Sequence, residues 1–348
     1  MKIVDLPGLP RSGRHDAPDG DSAGRPVPLR RFQWIRDTWI FGALVITVAG
    51  FSIASPDFLT QDNWLNTSSS AVEVLLLAVG QTFVIISGGI DLSVGATLGL
   101  SGMAGGWVMA NGFAAGTSPA LVTAVGILVA LAVGLLVGLF NGALIARYKI
   151  PPFVATLGTL GIATGVADLI SNGLEISNIP TAVSQIGNTD IGGWVPIPVL
   201  VAAVVCVIAA VILAKTRFGA YTYAIGDNRQ AAVRAGIRDK RHLIKIYMMA
   251  GLLAGVAGVL VMARLSAASP TSGSNDELDA IAAVVIGGTS LAGGSGTIAG
   301  SVIGTAIISV LLTGLIIVNV PPFWQLVAVG IVLIVAVYAD QYGRGIRS

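Results

Sequence analysis

Polar side chains are rare within the long apolar runs of this sequence, and those that occur there are the first candidates for chemistry. In lipid a polar group is costly unless it meets a partner or water, so it either bonds to a neighbouring helix or lines a hydrated path. For any single residue, interhelical hydrogen bonding is the favoured interpretation. The candidates for a path are Gln81, Thr82, Asp91, Ser93, Asn141, Thr156 and Asn319.

Asp91 differs from the other candidates because it is charged and follows the pair Gly88 and Gly89. A charge at this depth has to be compensated by a partner or by water. We therefore expect Asp91 either to serve a transport path or to cap the helix that follows it.

Residues for enzyme chemistry are lacking. The sequence has no phosphate-binding Gly-x-x-x-x-Gly-Lys-Ser/Thr loop and no His-Glu-x-x-His zinc motif. His15 and His242 are the only histidines and Cys206 is the only cysteine, so neither a His-rich centre nor a disulfide framework is possible. We expect no catalytic residue, metal or cofactor in this chain; if ATP drives it, another chain binds the ATP.

The composition indicates which elements hold these residues. The chain has 348 residues, a mean hydropathy of +0.83 and only 11% charged residues, whereas a soluble domain carries about 25%. Most of its surface must therefore face lipid. The net charge of +2 gives no argument for binding nucleic acid.

Continuous apolar runs predict an all-α, polytopic membrane helix bundle. A membrane helix needs about 20 apolar residues, and these runs are too long and unbroken for barrel strands. About ten segments are predicted, at 38–55, 71–88, 92–110, 119–146, 153–171, 195–214, 246–264, 279–291, 296–318 and 322–339. The eighth is too short to cross as a plain helix.

Basic residues predict the orientation. Lys and Arg collect in cytoplasmic loops. With the N-terminus inside, the inside segments 1–37, 147–152, 215–245 and 340–348 hold 19 of the 20 basic residues, and only Arg264 falls outside. Both termini are therefore predicted to be cytoplasmic. We expect a disordered tail at 1–36, one transmembrane domain at 37–342 and a short tail at 343–348.

The largest inside loop, 215–245, contains a predicted helix of two turns. Asn228 is a good N-cap and Gly236 a good terminator. Ala231, Ala232 and Ala235 share a face of small residues that could fit a groove of another protein. The arginines and lysines of this loop would equally suit anionic lipid.

Glycines predict close packing and helix breaks. Gly134, Gly138 and Gly142 repeat every four residues, as do Gly296, Gly300 and Gly304, and such spacing favours tight packing within a bundle. Gly88-Gly89 and Gly287-Gly288 each follow one apolar run and precede another. Paired breaks of this kind are typical of transport paths, although two glycine-rich stretches also match by chance.

Four segments resemble the ribose-type ABC sugar permeases, over roughly residues 38–340. They are Gly80–Gly95 (GQTFVIISGGIDLSVG), Asn141-Gly142 with Ile150–Gly158 (IPPFVATLG), Ala224–Ile237 (AIGDNRQAAVRAGI) and Glu277–Gly294 (ELDAIAAVVIGGTSLAGG). One departure is Asp227, where the family usually has glycine. The long N-terminal tail also lies outside the shared pattern.

The resemblance implies the permease subunit of an ATP-binding-cassette importer in the bacterial inner membrane, carrying a pentose-like monosaccharide. Its partners would be a second permease copy, a periplasmic sugar-binding protein and a cytoplasmic ATPase, which binds ATP and Mg. The segment 228–236 would be the coupling helix that contacts the ATPase. The coupling residues implied are Gly226, Asn228, Ala231, Ala232, Ala235, Gly236 and Ile237.

Other functions stay open at this point. A permease for nucleosides or branched-chain amino acids is the nearest alternative. A stand-alone secondary carrier would need no ATPase, and an integral-membrane enzyme is disfavoured by the lack of clustered catalytic or metal-binding residues.

Overall fold

The computed structural model describes residues 29–345, which are almost entirely α-helical. The helices are α1 (Leu29–Ala54), α2 (Gln61–Ile86), α3 (Val94–Ala114), α4 (Pro119–Ala146), α5 (Pro152–Ser171), α6 (Thr181–Asn188), α7 (Ile197–Lys215), α8 (Arg217–Arg234), α9 (Asp239–Leu265), α10 (Asp276–Ile286), α11 (Ile298–Ile317) and α12 (Pro322–Gly345). A 3-10 turn (Pro56–Leu59) joins α1 to α2. Two short antiparallel strands, β1 (Asp190–Ile191) and β2 (Val195–Pro196), precede α7.

The all-α membrane architecture is confirmed. Within residues 29–345, six helices are long and apolar enough to cross a membrane: α2, α4, α5, α7, α9 and α11. α10 has only 11 residues, fewer than a plain crossing needs. The total of about ten segments and the cytoplasmic position of both termini stay predictions.

The ends of the chain differ in extent from the predicted domain limits. α1 already begins at Leu29. Residues 29–36, assigned to the tail by sequence, are therefore helical, and α12 extends to Gly345. The remaining tail residues, 1–28 and 346–348, lie outside the described residues.

The predicted glycine repeats pack within the bundle. α9 lies at its centre and contacts α2, α3 and α4. A Cβ atom on Gly134 or Gly138 would overlap a backbone carbonyl oxygen of α9, and one on Gly142 would lie 2.8 Å from the Ile244 Cα. A Cβ on Gly300 or Gly304 would likewise overlap the backbone of α10. These glycines are used for contacts inside one chain, which leaves none of their faces free.

The outer surface is apolar, as lipid requires. Large side chains such as Leu128, Leu136, Val204 and Val207 are exposed on α4 and α7. Soluble proteins rarely expose contiguous apolar area on this scale. By contrast, the C-terminal halves of α2 and α9 are almost completely buried.

Candidate functional site

α2 ends in a tight C-terminal turn at the first glycine pair. Gly88 has φ +84°, and its N–H donates to the Ile85 carbonyl at 2.9 Å. The Gly89 N–H donates to the Val84 carbonyl at 3.0 Å. This pair of bonds is the Schellman motif, in which glycine is favoured because it adopts the left-handed conformation without strain.

α10 ends in the same way at the second glycine pair. Gly288 has φ +83°, and its N–H donates to the Val285 carbonyl at 2.8 Å. The Thr289 N–H donates to the Val284 carbonyl at 3.1 Å. The resemblance between the two glycine stretches therefore extends from sequence to backbone geometry.

The two helix ends are close together in space. The Gly294 N–H, in the loop after α10, donates to the Ile86 carbonyl at 2.9 Å. One turn deeper, the hydroxyls of Thr82 and Ser301 are 2.6 Å apart and share a hydrogen bond between α2 and α11. Ser301 was not a candidate by sequence, because a single serine in an apolar, glycine-rich helix carries no distinctive signal.

A buried hydrogen-bond network surrounds Asp91. Its Oδ1 accepts from the backbone N–H of Ser93 at 2.9 Å and from the Ser93 hydroxyl at 2.6 Å. The Asn141 side-chain amide donates to the Ser93 hydroxyl at 2.8 Å, and Thr159 donates to Asn141 Oδ1 at 2.6 Å. Gln81 Nε2 donates to the Asp91 carbonyl at 2.7 Å. The network joins the break after α2 to α4 and α5.

The predicted path residues are thus mostly brought together, but as partners of one another. Asp91, Ser93 and Asn141 are each no more than 2% exposed. Asp91 accepts from the N–H of Ser93, which is the N-cap residue of α3, so its carboxylate holds the turn that leads into the helix. Thr156 donates to the Pro152 carbonyl of its own helix at 2.9 Å, and its hydroxyl also lies 3.4 Å from the Ile90 carbonyl in the broken segment. Asn319 lies apart, exposed in the turn between α11 and α12 with φ +57°.

The segment 228–236 forms a separate short helix. α8 bends at Asn228, whose φ and ψ are −151° and 95°, and Asn228 Oδ1 accepts from the Ala231 N–H at 2.9 Å. At the other end Gly236 has φ +87°, and the Ile237 N–H donates to the Ala232 carbonyl at 3.1 Å. Asn228 therefore caps the start of this helix and Gly236 terminates it, as the sequence predicts.

The predicted alanine face of this helix is divided. Ala231 and Ala235 are exposed, but Ala232 is only 4% exposed and belongs to the same buried apolar cluster as Ile86 and Leu243. Successive helical residues are about 100° apart, so Ala232 can face the bundle while Ala231 faces away. Ala232 therefore packs against the bundle, and its role as a coupling residue stays a prediction.

α8 contacts both broken helices at Gly226. A Cβ atom there would overlap the Ile86 carbonyl oxygen and would lie 2.6 Å from the Gly294 nitrogen. Next to it, a Cβ on Gly294 would lie 3.1 Å from the Asp227 Cα. We call this close approach of residues 226, 86 and 294 the glycine junction.

Tyr223 reinforces the glycine junction. Its hydroxyl donates to the Gly296 carbonyl at 2.8 Å, and burial raises the pKa of this hydroxyl, so that it remains a donor. Sequence reasoning missed Tyr223 because one tyrosine in a polar loop gives no signal before its distant partner is known.

Arg264, the basic residue outside the inside segments, has a partner in α2. Its guanidinium lies 3.1 Å from Glu73 Oε1 and donates to the Ser70 hydroxyl at 2.6 Å. Among the described residues no group of histidine, cysteine and carboxylate side chains could hold a metal ion.

Comparison with known proteins identifies relatives over most of the chain. Residues 63–337 match the family described as branched-chain amino acid transport system / permease component. The ribose import permease protein of Bacillus subtilis (strain 168) is 44% identical over 303 residues, which cover 86% of this chain and 91% of the relative.

Two further relatives have other sugars in their names. The D-allose transport system permease protein of Escherichia coli (strain K12) is 37% identical, over 86% of this chain and 90% of its own length. The xylose transport system permease protein of Haemophilus influenzae (strain ATCC 51907 / DSM 11121 / KW20 / Rd) is 34% identical, over 87% and 95%. No solved structure matches this chain.

Proposed function

This chain belongs to the ABC transporter permease family and, within it, to the ribose-type sugar permeases, and on that premise we propose that it carries a pentose-like monosaccharide. It is the membrane-spanning subunit of a sugar importer and a multi-pass protein of the bacterial inner membrane. It is a transport subunit rather than an enzyme, and a separate ATPase chain hydrolyses ATP. A sugar-binding protein completes the system.

The path would run past the two helix breaks. Gln81 Oε1, Thr289 Oγ1 and Ser290 Oγ are buried there, and none has a hydrogen-bond partner within residues 29–345. A buried polar atom without a partner is costly, and water or a sugar hydroxyl would satisfy it. Asp91, Ser93, Asn141 and Thr156 would hold the broken segment in place rather than contact the sugar.

The coupling helix (228–236) would receive the ATPase through its exposed residues Ala231 and Ala235. The observation that supports transmission is the glycine junction, where α8 touches the ends of both broken helices. A movement of the coupling helix would displace both ends together. Rigid-body motion of packed elements is a common way to transmit such a change.

A second copy of this chain would pack against α5. Gly158, Gly161 and Gly165 lie on one exposed face of α5, and a Cβ on any of them would meet nothing within 4 Å. Against Gly134, Gly138 and Gly142 of α4, by contrast, the backbone of α9 is packed within the same chain. Exposed small residues at this spacing allow two membrane helices to approach closely. Membrane lipid would cover the rest of the apolar surface.

Reconstitution tests the proposed function directly. The chain is placed in liposomes with its ATPase, with ATP and Mg inside. Uptake is measured after adding the binding protein with labelled ribose, allose, xylose, a nucleoside or a branched-chain amino acid. We expect uptake of a pentose that requires every component. Uptake by the chain alone would identify a secondary carrier, and uptake restricted to a nucleoside or a branched-chain amino acid would refute the sugar assignment.

A further inference from the structure

A cavity of about 540 Å³ opens on the side of the bundle where the basic residues collect. It lies between the break after α2, the turn joining α4 to α5, the coupling helix and the start of α9. Gly88 and Gly89 line one part of it, and Pro151 and Pro152 line another. The transport and coupling roles proposed above use the break at Gly88 and Gly89 but not the basic side chains that line this space.

The side chains lining the cavity are strongly basic. Lys149, Arg229, Arg234 and Lys240 line it, and Asp239 is the only acidic residue that does so. Arg229 pairs with Asp239 at 2.8 Å, which neutralises one of the four cations. Among the described residues, the other three have no carboxylate within ion-pair distance. Three uncompensated positive charges therefore surround one concave space.

Two of these cations, Arg229 and Arg234, belong to one side of the coupling helix. Arg229, Gln230, Val233 and Arg234 line the cavity, while Ala231 and Ala235 are exposed without lining it. At about 100° per residue, the lining residues occupy one continuous arc, and the two alanines occupy the opposite one. The proposed ATPase face and the cavity face are therefore separate.

A buried hydroxyl at the cavity lacks a partner. Tyr247 is fully buried and is one of the residues that line the cavity, and its hydroxyl makes no hydrogen bond within residues 29–345. A buried hydroxyl without a partner is costly unless a group outside the chain accepts a hydrogen bond from it. An oxygen-rich anion in the cavity would supply that acceptor.

Backbone charge neither creates nor cancels this site. α5 and α9 begin at the cavity, which favours an anion, whereas α2 and α4 end there, which disfavours one. With two helix ends of each kind, the side-chain charges decide the sign. Lys149 is held with φ +60°, a conformation that costs energy for a residue with a Cβ and that is common at ligand sites.

We propose that this cavity binds a phosphate group, held by Lys149, Arg234 and Lys240 and accepting a hydrogen bond from the Tyr247 hydroxyl. Basic pockets between membrane helices on the cytoplasmic side bind anionic lipid headgroups. A lipid phosphodiester and free inorganic phosphate present the same oxygens to such a pocket. The group would sit between the coupling helix and the break after α2, next to the transmission path.

Thermal unfolding of the purified full-length chain in detergent tests the site. Phosphatidylglycerol is titrated against phosphatidylcholine in one arm, and inorganic phosphate against chloride at equal ionic strength in the other. A ligand that binds the folded state raises the unfolding temperature. We expect phosphatidylglycerol, inorganic phosphate or both to do so; a rise in the lipid arm alone assigns the phosphate to a headgroup.

Two triple variants that remove the same number of positive charges are compared. The test triple is Lys149→Gln, Arg234→Gln and Lys240→Gln; the control triple is Arg238→Gln, Arg241→Gln and Lys245→Gln, which removes the same charge from exposed residues that do not line the cavity. Loss of three basic contacts should weaken binding about 100-fold in the test triple. The control triple should bind as the unaltered chain does.

Tyr247→Phe gives an independent readout. The unliganded variant should unfold at the same or a higher temperature, because an unsatisfied buried hydroxyl is removed, yet it should bind phosphate more weakly. Equal weakening in both triples, no response in either arm, or unchanged affinity of Tyr247→Phe would overturn the proposal. If the unfolding temperature rises only when the ATPase chain is added, the proposal is also overturned. The cavity would then bind an acidic segment of that protein.

Discussion

Gly226 is the residue on which the proposed transmission depends most directly. Its missing side chain lets α8 touch the Ile86 carbonyl and the Gly294 amide at once. Both contacts are made to backbone atoms, which cannot rotate away as the end of a side chain can. Any larger residue must therefore separate α8 from at least one broken helix.

Gly226→Ala is expected to lower stability and transport together. Forcing one methyl group into a filled site costs about 1–3 kcal/mol. Thermal unfolding in detergent and ATP-dependent sugar uptake in vesicles measure the two effects. The control is Gly50→Ala on α1, where a Cβ meets nothing within 4 Å and where alanine should be neutral or stabilising. An unaltered uptake by Gly226→Ala would contradict the proposed role of the glycine junction.

Asp91 illustrates how a buried charge can be structural. Its carboxylate accepts from the Ser93 N–H and hydroxyl, and the chain of bonds continues to Asn141 and Thr159. An acceptor is needed at this position, and an amide oxygen supplies one as well as a carboxylate does.

Asp91→Asn should therefore keep near-normal stability and uptake, whereas Asp91→Ala should lose about 1–3 kcal/mol because buried donors are left without an acceptor. Thermal unfolding of both variants, followed by uptake at equal expression, makes the comparison. If Asp91→Asn abolishes uptake while it remains folded, the negative charge itself is required and the cap interpretation fails.

At the scale of elements, the coupling helix separates three roles on three faces. Ala232 packs into the bundle, Ala231 and Ala235 point away from it, and Arg229 and Arg234 line the cavity. Small exposed residues leave room for a groove on the partner. The buried Ala232 side chain fixes the orientation of this helix against the bundle.

Glutamate substitutions should distinguish these faces. Ala235→Glu should leave thermal unfolding unchanged but reduce copurification with the ATPase and stop uptake. Ala232→Glu should destabilise the chain by about 3–5 kcal/mol, the cost of an uncompensated buried charge. Normal ATPase copurification and uptake by Ala235→Glu would refute the assigned docking face.

Helix existence was predictable and helix length was not. Apolar runs located ten of the helices, because lipid requires long continuous apolar segments. α2 and α9 nevertheless begin several residues earlier than predicted, at Gln61 and Asp239, since their first turns are polar and lie beyond the apolar run. Of α8, only the part after Asn228 was predicted. The first part has no long apolar run, and it packs against the bundle through Gly226.

In the candidate site, local features were predictable from sequence and contacts between distant segments were not. Asn228 and Gly236 were predictable because caps depend on local residue types. The seating of Ala232 and the contacts of Gly226 were not, because they depend on segments far apart in the sequence. The polar network could be listed from sequence, but only the structure shows that its members bond to one another.

At the scale of the whole molecule, α5 is the helix on which we propose that a second copy packs. Its exposed glycines have open space around them, unlike the glycines that pack α4 against α9. The start of α5 also lies beside the basic cavity, through Pro152. A second copy on this face would bring two such cavities into one assembly.

Cysteine cross-linking tests the α5 contact. In a Cys206→Ser background, Gly161→Cys should form a dimer-sized product on oxidation of membranes. Gly50→Cys and Gly330→Cys, which also have no neighbour within 4 Å, should remain monomeric. Cross-linking of a control position in place of Gly161 would move the dimer contact to another helix.

The glycine junction has a consequence for how such transporters diverge. It is made by backbone atoms and needs only the absence of a side chain, whereas the proposed ATPase face depends on the side chains at Ala231 and Ala235. The two requirements fall on different residues and place no constraint on each other. On the proposed assignment, exposed residues of the coupling helix can therefore change to fit a different ATPase while the backbone contacts of the glycine junction stay the same.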